Sequence, residues 1–254
     1  MVHFVGAGCG AADLITVRGA RLLSEADVVI YAGSLVNPEL LKGTKEGCEI
    51  HDSARMTLPE VLGVMERRGR EKDHCAAPPG SVALRAIREQ MDRLEEMGIA
   101  YDVCPRVSSF NGAAASLGAE LTLPEVSQTV IITRMAGRTA VPERESFRSL
   151  AAHHSTMAVF LSAGLLEEME AELKEAGYRP DTPAAIVYKA TWPEEKAIRC
   201  TVSTLKETAE REGIRKTAMI LIGDVLGTRE ENGYADSRLY APDFTTGFRK
   251  GTDA

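Results

Sequence analysis

Residues 184–200 read AAIVYKATWPEEKAIRC. Ala184–Tyr188 is a short apolar, partly β-branched run, the pattern of a buried strand. It stops at Lys189-Ala190-Thr191-Trp192-Pro193, where proline ends strand pairing and the chain's only tryptophan stands. Glu194-Glu195-Lys196 is a solvated turn, after which Ala197–Val202 can return as a second strand. Loops at the C-terminal ends of strands are where ligands sit in open α/β sheets, so Lys189–Trp192 is placed to line a site. A surface hairpin whose tryptophan packs on its own strands accounts for the same spacing.

Strands and helices alternate on both sides of this stretch, which predicts an α/β protein. Downstream, Leu205–Glu212 is helical and Ala218–Ile222 is a last apolar strand, followed by a tail of little regular pattern. Upstream, Leu165–Ala176 is an amphipathic helix stopped by Gly177, Thr156–Leu161 a strand, Glu143–Leu150 helical and Gln128–Thr133 a strand. Arg134 and Arg138 follow that last strand. Guanidinium grips carboxylate with a two-pronged fork, so they suit an anionic ligand, although arginine is common on any surface. His153-His154 reads as a helix–strand connection and not a metal pair, since adjacent residues do not share a helix face.

In the first half, His3–Ala7 and Asp27–Tyr31 are apolar strands, and Glu49–His51 and Tyr101–Val103 are shorter ones. Thr57 caps a helix that ends in Arg67-Arg68, read as a solvated helix end. Gly6, Gly8 and Gly10 follow the first strand. That order invites a dinucleotide-binding reading, but no glycine stands at the helix-packing position. Ser108 or Ser109 caps an alanine-rich helix. The expected division is 1–117 and 118–254, two α/β domains, the second with a mobile tail. His74–Arg85, HCAAPPGSVALR, is anomalous: an apolar strand belongs here, and two prolines and a glycine forbid a regular central one.

Composition narrows the classes. A hydrophobic share of 44% with 26% charged residues is that of an ordinary soluble protein. Five scattered cysteines with no CxxC pair argue against a zinc site and a disulfide scaffold, and suit a reducing cytosol. Polar residues interrupt every apolar run, so neither a signal peptide nor a membrane span is expected. A net charge of −7 disfavours non-specific nucleic-acid binding. No Ser/His/Asp or Cys/His constellation can be assembled.

The stretch Ile186–Trp192, the opening strand with its glycine turn and Asp13-Leu14-Ile15-Thr16-Val17-Arg18-Gly19, and the tail together resemble the tetrapyrrole methylases that build the corrin ring of cobalamin. The resemblance covers nearly the whole chain. It implies two α/β domains meeting at a cleft that holds S-adenosylmethionine, a homodimer, and no metal cofactor. The implied reaction is methyl transfer to C11 of precorrin-4 or its cobalt form. Methylation of uroporphyrinogen III and a non-catalytic tetrapyrrole-binding role are the alternatives, and a dinucleotide-dependent oxidoreductase rests on Gly6–Gly10 alone. By the same resemblance Cys9, Gly80, Ser81, Leu84, Ser108, Ser109, Leu161, Ala190, Ala218 and Met219 contact the methyl donor. Arg18, Arg134, Arg138 and Lys189 are candidates to receive the substrate's carboxylates.

Three departures stand out. Cys9 replaces a usual proline, and Arg106 replaces the glycine of Pro-Gly-Val-Ser-Ser, which would strain the loop if its φ were positive. The third is His74–Arg85, where the family carries a strand and then Gly-Asp-Pro-x-x-Tyr-Gly. Codons able to encode His74–Pro78, read one nucleotide further on, can spell Thr-Val-Arg-Leu-His. Those for Gly80–Arg85 can spell Asp-Pro-Ser-Leu-Tyr-Gly, with one residue missing between the two pieces. We read the segment as frame-shifted from a normal donor loop. Resequencing the gene across these codons should reveal the shift. A verified reading frame whose product binds the donor in the nanomolar-to-micromolar range of specific ligands rejects it.

Overall fold

The computed structural model describes residues 1–33, 35–70, 75–77 and 87–252. They divide into two units, one of Met1–Ala115 with Lys189–Glu195, the other of Ser116–Tyr188 with Lys196–Ala254. The short segment Lys189–Glu195, flanked by strands of the second unit, thus counts with the first.

The first unit carries β1 (Val2–Val5), α1 (Val17–Glu25), β2 (Val28–Tyr31), β3 (Glu49–Asp52), α2 (Leu58–Arg70), β4 (Cys75–Ala77), α3 (Ile87–Glu96), β5 (Tyr101–Cys104) and the start of α4 (Ser109–Leu117). The strands form one parallel sheet in the order β3-β2-β4-β1-β5, with Val2 opposite Tyr101 and Val5 opposite Cys104. Alternate residues feed two cores. Val2, Phe4, Val28, Ile30 and Cys75 pack with Val64 and Met65 of α2 and Ile87 and Leu94 of α3. Val5, Val29, Ala76 and Cys104 pack with Leu22 and Leu23 of α1. A sheet covered on both faces needs strands that are nearly apolar throughout, which VVIY supplies outright and VHFV supplies but for His3, whose Nδ1 pairs with Asp102 at 2.7 Å.

In the anomalous interval, where two prolines and a glycine forbid a regular strand, the described residues form a short central strand of three residues, Cys75–Ala77. Cys75 and Ala76 are small and buried, and pair with Val2 and His3 of β1 and with Val28 and Val29 of β2. The donor-loop candidates Gly80, Ser81 and Leu84, and with them most of the frame-shift reading, lie outside the described residues. Arg67 and Arg68 also differ from expectation. Arg68 donates to Glu49 and Arg67 lies 3.8 Å from it, tying α2 to the edge strand β3. The Arg68 hydrogen bond is the main reason the Glu49 carboxyl sits below the usual range.

The second unit carries β6 (Val130–Arg134), α5 (Phe147–Ala151), β7 (Thr156–Phe160), α6 (Leu166–Glu175), β8 (Pro183–Tyr188), β9 (Lys196–Thr201), α7 (Leu205–Glu212), β10 (Ala218–Ile222) and α8 (Arg229–Asn232). Its sheet is mixed, in the order β6-β7-β10-β8-β9, with only β6 and β7 parallel. Met157, Val159, Ile186, Ile220 and Ile222 pack one face against Phe147, Met169, Leu173 and Leu205. Burial of each such side chain contributes about 1.5–3 kcal/mol, whereas an exposed ion pair contributes about 0–1 kcal/mol, so apolar burial holds this unit together. In the tail, Arg249 donates to the carbonyls of Leu239, Ala241 and Phe244, an order that its sequence pattern does not announce. Among the described residues no helix is long and apolar enough to cross a membrane.

Candidate functional site

Strand order picks out one edge of the first sheet. The chain leaves β1 toward β2 on one side, and leaves neighbouring β4 toward β5 on the other. The carboxyl ends of β1 and β4 are therefore a topological switch point, where open α/β sheets hold their ligands. The residues leaving β1 there are Gly6–Gly10. They are seated by buried Asn37, whose Nδ2 donates to the Gly10 carbonyl at 3.1 Å. Lys189–Glu195 closes onto the same loop: the Ala11 N–H donates to Thr191 Oγ1 at 2.9 Å, and that hydroxyl lies 3.8 Å from Cys9 Sγ. A Cβ on Gly10 would stand 2.1 Å from the Ala190 carbonyl oxygen. One on Gly112 would stand 2.9 Å from Cys9 Cβ, so α4 approaches the loop as closely. Gly10 serves close approach of backbone to backbone, and Gly112 the approach of α4 to the Cys9 side chain.

Beside this loop runs 105–108, leaving β5. Arg106 does not take a positive φ, so the strain foreseen for it is absent. Its side chain lies flat over Gly6, where a Cβ would stand 2.3 Å from Arg106 Cβ, and Nη1 donates to the Gly8 carbonyl at 3.1 Å. Burial lowers its pKa. Ser108 gives its carbonyl to the amides of Asn111 and Gly112, and it and Ser109 are half-buried at the start of α4.

In the second unit the predicted residues gather at one sheet edge. β10 pairs with β7, Ile220 opposite Val159, and with β8, Ala218 opposite Tyr188, so Ala218 at the start of β10 and Leu161 just after β7 lie at the same end of the sheet. Arg134, opposite Phe160, ends β6 at that edge. Leu161 is 53% exposed at a φ of 56°, an unusual conformation for a bulky residue and an unusual exposure for leucine. Ser162 behind it is buried; it accepts from the Met135 N–H at 2.9 Å and donates to the Phe160 carbonyl. Met219 is buried in β10.

The candidate carboxylate receivers prove unequal. The two terminal nitrogens of Arg134 are occupied by the carbonyls of Met135, Thr139 and Ala140, which makes it the clamp of its own loop. Lys189 lies 3.5 Å from Glu194 and 4.9 Å from the centre of the Trp192 ring, at a φ of 46°. Arg18 and Arg138 are exposed. Cys9 and Ala190 are buried, their atoms turned to the packing just described. Asn37 and Ser162 were missed by sequence reading, and Thr191 was included only as part of the stretch Lys189–Trp192. Asn37, before a proline that opens a helical turn, carried the signal of a cap, and its side chain does accept from the Glu39 N–H. Among the described residues no group of three His, Cys, Asp or Glu side chains could hold a metal ion.

Residues 1–206 match the tetrapyrrole (corrin/porphyrin) methylases. The chain is 47% identical over 252 residues to the cobalt-precorrin-4 C(11)-methyltransferase of Methanocaldococcus jannaschii, covering 98% of this chain and 96% of the relative. It is 46% identical to the enzyme of the same name from Priestia megaterium, again over 252 residues and 98% of each chain. The X-ray structure of a cobalt-precorrin-4 methyltransferase, a cobalamin biosynthetic enzyme, superposes with a TM-score of 0.87 at 46% identity, covering 89% of this chain and 96% of the other.

Gly10→Ala tests the seating of the return loop. The added methyl meets backbone, so Ala190–Trp192 must shift. Overpacking of this kind costs about 1–3 kcal/mol. In a chain of this size that lowers the melting temperature by roughly 2–12 °C. The single Trp192 should report the shift in its fluorescence emission. Unchanged emission and melting temperature would show that the loop is not seated on Gly10.

Proposed function

Because the chain belongs to the tetrapyrrole methylases, we propose that it transfers the methyl group of S-adenosylmethionine to C11 of precorrin-4 or of its cobalt complex in cobalamin biosynthesis. The observation that carries this is the near-full-length identity to two enzymes of that name. The donor supplies a methyl group on a sulfonium, already a good leaving group. The protein's part is to align the two reactants, and alignment alone can supply roughly 7–11 kcal/mol of the barrier. That agrees with a chain in which no catalytic triad can be assembled.

The residues fit such a donor. Gly6–Gly10 lies at the switch point with the Arg106 side chain over it, beside Ser108 and Ser109, and Leu161 offers an exposed apolar surface held at a strained φ. We assign these, with the edge formed by Ala218 and Met219, to the donor. Arg138 and Arg18, exposed and outside the ion pairs of the described residues, are assigned to substrate carboxylates. Lys189, already engaged by Glu194 and Trp192, positions its loop and contributes charge from there. Arg134 shapes the loop that carries Arg138.

The test is incubation with precorrin-4, with cobalt-precorrin-4 and with uroporphyrinogen III, each with methyl-labelled donor. One label at C11 and one equivalent of S-adenosylhomocysteine are expected from a precorrin-4 form. Label on uroporphyrinogen III alone would reject the assignment. Arg138→Ala should raise KM for the tetrapyrrole roughly ten- to hundredfold, the worth of a charge-assisted hydrogen bond. Its melting temperature should stay where it was.

A twofold homodimer in the cytosol completes the proposal, closed dimers being the commonest assembly of soluble enzymes. Sedimentation should give a species of twice 27.4 kDa. A monomer alone at micromolar concentration contradicts it.

A further inference from the structure

Arg106 is an unusual residue to find against a glycine loop. Its stem covers Gly6 so closely that no side chain fits there, and its head reaches Gly8 through one hydrogen bond. A guanidinium has five N–H donors, and that bond uses one. Among the described residues no carboxylate forms an ion pair with it, and burial lowers its pKa. Covering Gly6 needs only an apolar side chain, and such a side chain would escape the cost of a half-buried cation. The position also matters: β5 is the parallel neighbour of β1, so Arg106 stands beside the switch-point loop, on the edge where ligands sit.

We propose that Arg106 is a binding and specificity residue that takes a carboxylate of a ligand held on the Gly6–Gly10 edge of the first sheet. The inference rests on the methyltransferase reading above, whose two reactants both carry carboxylates: the methionyl group of the donor and the side chains of the tetrapyrrole. Arginine's planar fork fits either one.

The experiment uses the full chain and the variants Arg106→Met, which keeps the stem and removes the charge, and Arg106→Lys, which keeps the charge and removes the fork. Calorimetry with S-adenosylmethionine and with its decarboxylated analogue gives the preference for the carboxylate. If the donor is the source, the wild type prefers the carboxylated form roughly ten- to hundredfold, as expected for a charge-assisted contact. Arg106→Met then loses that preference and Arg106→Lys keeps part of it. If the tetrapyrrole is the source, the donor preference is the same in all three proteins. KM for the tetrapyrrole then rises roughly tenfold or more in Arg106→Met with kcat retained. Either pattern supports the inference, and a merely structural arginine would move neither ratio. Unchanged donor preference and unchanged KM in a folded variant overturn it; should Arg106→Met fail to fold, Arg106→Lys carries the same readouts. Failure of the wild type to bind the donor at all would instead remove the methyltransferase reading, and this inference with it.

Discussion

The backbone of Ala190 approaches Gly10 so closely that a single methyl group could not stand between them. Much of the first unit's ligand edge depends on that approach. It brings Thr191 to the Ala11 N–H and to Cys9, and Cys9 in turn sits against Gly112 of α4. Lys189 and Thr191 take positive φ to make the turn, at a cost of order 1–3 kcal/mol each. The hydrogen bonds of Thr191, including the one its N–H donates to Glu195, return about 0.5–1.5 kcal/mol apiece. The cation of Lys189 over Trp192 adds to this. Strain and compensation are of similar size.

Three arginines that follow strands have three fates. Arg134 turns back onto the carbonyls of its own loop, Arg106 crosses to a neighbouring loop, and Arg138 stays open to solvent. Nothing in their sequence context separates them. Each is a long flexible side chain whose destination is set by where carbonyls lie in space, which only the tertiary structure determines.

The elements themselves were far more legible. Leu205–Glu212 and Ala218–Ile222 match α7 and β10 to the residue, because each is an uninterrupted pattern bounded by glycine. Gly98 and Gly177 stop their helices with φ of 65° and 88°, the conformation glycine alone adopts without cost. β4 was legible only as an irregular strand, since three small residues give no apolar run and the prolines beyond them forbid a regular one. Of the candidate site, Leu161 and Ala190 were named by the resemblance, and spacing alone does not mark them. Thr191 and Ser162 work through hydrogen bonds to residues far away in sequence, and no local pattern marks such partners.

The first unit is discontinuous along the chain: 115 residues, then a gap, then Lys189–Glu195. Protein synthesis is vectorial, so the ribosome releases the glycine loop long before the segment that covers it. Adding about 5–20 residues per second, it needs roughly 4–15 s to pass from Ala115 to Lys189. Throughout that interval β1 to β5 can pair, but the loop after β1 stands without its lid of Ala190–Trp192. The nascent first unit therefore cannot be finished until β8 has been made, and its maturation waits on a strand of the other sheet.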